Sequence, residues 1–178
     1  MARPLGGIMR AAAAVIVDAA VWAASGTLVA FTASRLPAGR FMADGRLSRL
    51  RPWEQDGRFW LRTGVQRWKR LVPALGGLLG GTSVRHLPQG PHRLQRMVAE
   101  TRRAELVHWA AAVPVLAMPF WGPGWVSGVM AAYAVLANAP CIIIQRYNRG
   151  RLTRLIEHRR RQVAGRPGAP GVRQEVAM

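Results

Sequence analysis

The stretch ETRRAELVHW, residues 100–109, gathers side chains capable of acid–base chemistry: Glu100, Arg103, Glu105 and His108. On a helix running from about Leu94 to Trp121, Thr101, Glu105 and His108 fall at i, i+4 and i+7 and share a stripe. A carboxylate beside an imidazole fixes its tautomer and raises its basicity, which suits a general base that takes a proton from a hydroxyl. Glu105 and His108 are therefore the candidate catalytic pair. Glu100 lies about 140° around the same helix from Glu105 and is expected to pair elsewhere, with Arg103.

A second polar cluster, Gln145, Arg146, Tyr147, Asn148, Arg149 and Arg151, follows the apolar run CIII directly. A helical hairpin returns its end to the level at which it began, so this cluster should meet His108. Other chemistries lack their residues. No pair of histidines or cysteines has metal-ligand spacing, and no metal is expected. The residues five after His86, His92, His108 and His158 are Pro91, Met97, Val113 and Val163, so there is no H-x-x-x-x-D pattern. Ser83 is followed by Val84 and Arg85, which excludes a G-x-S-x-G elbow. Cys141, the single cysteine, lies in an apolar block where a thiol is packing rather than a nucleophile.

The elements that must position these residues read as membrane segments. Half of the 178 residues are hydrophobic, yet 26 Lys and Arg face 8 Asp and Glu, a net charge of +18, and the two kinds are segregated into blocks. Three apolar blocks approach the roughly 20 residues that a spanning helix needs: about Ala11–Ala33, Leu106–Trp121 and Trp125–Ile144. The expected fold is mainly α, a small integral membrane protein. Its parts are an N-terminal membrane anchor (1–33), a basic, aromatic-rich cytoplasmic interfacial region (34–105), a transmembrane helical hairpin (106–144) and a basic cytoplasmic tail (145–178), disordered towards its end. Fifteen Lys and Arg lie between Ser34 and Glu105 and nine follow Ile144. The positive-inside rule then places the N-terminus outside and the C-terminus in the cytoplasm, in a multi-pass protein of the cell membrane.

The basic charge is assigned to anionic lipid head groups rather than to nucleic acid, because no nucleic-acid-binding motif accompanies it. RPWEQDGRFWLRTGVQRWKRL, residues 51–71, mixes tryptophans with arginines as interfacial segments do. Helical spacing from Phe59 to Leu71 would align Trp60, Gly64, Arg67 and Leu71. GGLLGG, residues 76–81, reads as a flexible connector. Asp18, inside the first apolar block, is expected to be protonated or paired. Asn138 and Pro140, deep in the third block, would shape an apolar groove or, for Asn138, hydrogen-bond a neighbouring helix, the second being the expected role.

ETRRAELVHW, IIIQRYNRGRL, the preceding ANAP, WEQDGRFW, the WK at Trp68–Lys69 and SRLP at Ser34–Pro37 together resemble the glycosyl-4,4'-diaponeurosporenoate acyltransferase family over about Ser34–Leu155. The chain differs from the family pattern in being rich in arginine and alanine, and in its GGLLGG region. The resemblance implies a membrane O-acyltransferase of staphyloxanthin-type carotenoid synthesis, which joins a fatty acyl group to a hydroxyl of a glycosylated carotenoid or related glycolipid. Its partners would be membrane lipids, that acceptor and an activated fatty acyl donor as co-substrate, with no cofactor. In that reading His108, oriented by Glu105, deprotonates the acceptor hydroxyl. Arg146, Arg149 and Arg151, with Asn148 as a neutral donor, hold the anionic carrier and the oxyanion, and Glu100 and Arg103 belong to the substrate-binding set. The alternative is a non-catalytic membrane adaptor or lipid-binding subunit.

Overall fold

The computed structural model describes residues 3–72 and 90–165; GGLLGG and the end of the basic tail lie outside them. Four α-helices carry the described chain: α1 (Arg3–Arg35), the short α2 (Val65–Trp68), α3 (Pro91–Ala112) and α4 (Gly124–Ala164), with 3-10 turns between them and no strand among the described residues. The fold is mainly α, as the apolar blocks predict.

Two helices, Gly6–Arg35 and Gly124–Ala164, are long and apolar enough to cross a membrane. Only 11% and 22% of their most apolar windows are buried within the molecule. Side chains such as Ile16, Leu28, Leu116, Phe120, Val135 and Leu136 stand exposed. The alanine-rich α1 has the composition that costs least in a helix, and it stops at Arg35, just before Leu36 and Pro37, as a following proline requires.

The middle block is not one helix. α3 ends at Ala112, and Pro114 and Pro119 sit at the starts of 3-10 turns Val113–Leu116 and Met118–Phe120. Prolines lack the N–H that would continue α3. The change of winding also lengthens the segment. Seven α-helical residues at about 1.5 Å and seven 3-10 residues at about 2 Å account for about 25 Å, against the roughly 30 Å of the 20 residues of Trp125–Ile144. Met118 packs with Val126 and Met130 at the closed end of the hairpin.

Two apolar clusters flank a polar middle. Ala14 of α1 joins Met118, Val126 and Met130 at the turn, while Leu94, Met97 and Val98 of α3 pack on Leu152 of α4 near the open end. Asp18 is wholly buried and paired, accepting a 2.7 Å hydrogen bond from Trp121 Nε1. α4 runs past Ile144 to Ala164, so the described part of the basic tail continues the helix.

The interfacial region departs from its predicted helix. Arg58–Thr63 forms a 3-10 turn, and Gly64, at φ 70°, redirects the chain before α2. Upstream, Gln55 and Asp56 are left-handed at φ 49° and 54°, followed by Gly57 at 84°. This tight turn lies directly on α4. A Cβ on Gly150 would stand 2.8 Å from Gly57 N and closer still to the Asp56 carbonyl. Only glycine allows that approach. Gly150→Ala is therefore expected to lift the turn and cost at least the roughly 1–3 kcal/mol typical of overpacking, read as a lower unfolding temperature in detergent.

Candidate active site

The site is built where α3, α4 and the 51–60 turn meet. Glu54 and Glu105 are both fully buried, with Arg146 and Arg149 only 8% and 1% exposed. Arg146 Nε donates to Glu54 Oε1 at 2.7 Å and Nη2 to Oε2 at 2.5 Å. Its Nη1 donates to Glu105 Oε1 at 2.5 Å and to the Leu47 carbonyl at 3.0 Å, and Nη2 also reaches the Arg49 carbonyl at 3.0 Å. All five N–H donors of a guanidinium are thereby committed. Arg149 Nη2 lies 2.6 Å from Glu105 Oε2, off hydrogen-bond alignment, and its Nε and Nη1 have no partner.

Glu54 sits in this cluster because its turn brings it there. It also accepts from the Arg51 N–H at 2.6 Å and Trp60 Nε1 at 2.9 Å, and Trp53, Phe59 and Trp60 pack edge to face around it, with ring centroids 5.0–5.6 Å apart. Burial pushes the Glu54 carboxyl up, but the Arg146 guanidinium and the Arg51 and Trp60 N–H groups outweigh it and hold it below the ordinary glutamate value of 4.5. A carboxyl held low in the fold stabilises it fully above its unfolded value and loses that contribution as pH falls. Unfolding temperature is thus expected to drop as pH is taken below 4.5, and Glu54→Gln should flatten that dependence while lowering stability at neutral pH.

The predicted pairing of Glu105 with His108 is corrected. Glu105 faces Arg146, Arg149 and, at 3.4 Å, Trp109 Nε1, because buried guanidinium groups compete better for a carboxylate than a neutral ring does. His108 Nδ1 instead lies 3.1 Å from Asn138 Oδ1 of α4. The Asn138 amide donates its Nδ2 to the Ala134 carbonyl at 2.9 Å, so its oxygen is the atom left for the ring. Nδ1 then carries the proton and Nε2 is the free acceptor. Asn138 was legible as an interhelical hydrogen-bonding residue, and His108 is its partner.

The other candidates separate. Glu100 pairs with Arg103, as expected. Arg103 also reaches the Ala33 and Leu36 carbonyls at 3.4 Å, where it caps the end of α1. Asn148 is buried, its Oδ1 unpartnered, whereas Arg151 is exposed. Arg146, fully engaged, has no donor left for a substrate carrier. Sequence reasoning missed Glu54. The available signal was an acid inside the aromatic WEQDGRFW of a chain with only eight acids.

The family model for glycosyl-4,4'-diaponeurosporenoate acyltransferase matches residues 44–158, which include every member of the buried cluster. The chain belongs to this family. Proteins of that name from Staphylococcus aureus strains USA300, NCTC 8325 and MRSA252 are each 38% identical over 109 residues, 58% of this chain and 64% of theirs. The chain thus spans less than two thirds of the curated relatives it matches. No solved structure matches it. The acyltransferase family match begins after Ser34–Pro37 and leaves α1, with Asp18, outside.

Proposed function

We propose that this chain is a membrane O-acyltransferase that joins a fatty acyl group to a hydroxyl of a glycosylated carotenoid or related glycolipid. The observation that carries the reading is the family match over residues 44–158, the segment that builds the buried cluster and the His108–Asn138 pair. The N-terminus lies outside and the C-terminus in the cytoplasm, in keeping with the arginines that follow α1 and α4. The buried cluster then stands at the cytoplasmic level, and His108 lies about one helical turn deeper than Glu105.

His108 Nε2 takes the proton of the acceptor hydroxyl as its oxygen attacks the activated acyl carbonyl. The ester C–O bond forms, the bond to the carrier breaks, and the proton passes from His108 to the departing carrier. Asn138 holds the ring in the required tautomer without lending it charge. Glu105 acts at one remove, through its ion pair with the buried Arg149, whose positive charge favours the negative charge that develops on the carbonyl. Acyl chains, being apolar, occupy the exposed faces of α1 and α4. Lipid profiling of a deletion strain tests the reading. An acylated glycolipid should vanish and its unacylated precursor accumulate, whereas an unchanged profile would contradict it.

A further inference from the structure

A second stripe of α4 is occupied by Tyr147, Arg151 and Arg154, at i, i+4 and i+7. Tyr147 is buried, and Gln66 Nε2 donates to its hydroxyl at 3.0 Å. The half-buried Lys69 holds its Nζ 4.9 Å from the centroid of the Tyr147 ring. Arg154 is pinned by a hydrogen bond to the Asp56 carbonyl. Arg70 and Arg151 lie within electrostatic reach of Lys69, as do Arg58 and Arg151 of Arg154. The acid that the same surroundings bring to Arg154 is Asp56.

Like charges on a solvated surface ordinarily splay apart. Here Lys69 is fixed over the Tyr147 ring and Arg154 against the Asp56 carbonyl, and Arg151 stands within electrostatic reach of each. Burial, followed by the charges of Arg151 and Arg70, lowers the proton affinity of Lys69, a cost that a bound anion reverses. The buried cluster does not supply this function, since Arg146 is saturated by Glu54 and Glu105.

We propose that Lys69, Arg70, Arg151 and Arg154 form a binding site for a phosphate-bearing group, either the diphosphate of a soluble acyl carrier or the head group of an anionic phospholipid. It deepens the acyl-transfer reading by placing the carrier's anion, and rests on that reading for its role though not for the binding itself.

The test uses the purified full chain in nanodiscs of zwitterionic lipid, titrated with inorganic pyrophosphate, and a parallel set containing phosphatidylglycerol, scored by the lipid retained on purification. The variants are Lys69→Gln/Arg151→Gln, with Lys69→Arg as the conservative control and melting curves to confirm folding. A salt-sensitive pyrophosphate affinity that falls about tenfold for each lost charge-assisted contact supports a soluble carrier. Retention of phosphatidylglycerol by the wild type and its loss in the double variant supports the lipid source. Wild-type behaviour by the folded double variant in both arms, or binding in neither arm by the wild type, overturns the site. His108→Ala should bind as the wild type does, so a chain that binds without transferring leaves this site standing while the enzymatic reading falls.

Discussion

Arg146→Ala should be the most damaging single substitution to the fold, lowering stability by about 3–5 kcal/mol, the range for breaking a buried ion pair from one side. It leaves Glu54 and Glu105, each fully buried, without the cation they share, and strips the Leu47 and Arg49 carbonyls of their donors. The 51–60 turn should detach from α4. Arg146→Lys should rescue little, because three donors on a point charge do not replace a planar fork of five. Thermal unfolding in detergent measures the loss, with Arg151→Ala, at an exposed position, staying within about 0.5 kcal/mol of wild type as surface changes do. Glu105→Gln should resemble Arg146→Ala in kind, acting on stability rather than on the basicity of His108.

The largest effect on rate belongs to His108→Ala. Removing a general base costs typically about 10²- to 10⁴-fold, and acyl transfer should fall by that order, with a modest drop in unfolding temperature because the buried Asn138 Oδ1 loses its partner. Asn138→Ala should lower transfer by less, since the ring keeps its base but loses the hydrogen bond that selects the tautomer. Single-turnover transfer at saturating donor separates this from weakened binding.

Helical spacing made part of this site readable. It put Glu105 and His108 on one stripe, paired Glu100 with Arg103, and used the hairpin return to bring the Arg146–Arg151 cluster to the level of His108. Spacing gives proximity along one helix, however, and does not decide between competing partners. Glu105 had a neutral ring within reach and two guanidinium groups arriving from α4, and the charged partners prevailed. Glu54 was harder to see, because it meets Arg146 across 92 residues through a left-handed turn with no periodicity. The same holds for Gly150, whose need to be glycine appears only once the Asp56 carbonyl is known to lie against it. In the middle block, Pro114 was visible, and α3 gives way to 3-10 turns just before it.

Whether this chain itself transfers an acyl group, or only supports proteins that do, is decided by reconstitution. The purified wild-type chain, alone in proteoliposomes with a glycosylated carotenoid and a labelled acyl thioester, should form the labelled ester, and His108→Ala, folded to the same extent, should form it about 10²- to 10⁴-fold more slowly. Wild-type protein that yields no ester until a second enzyme is added, or equal yields from wild type and His108→Ala, would contradict the account.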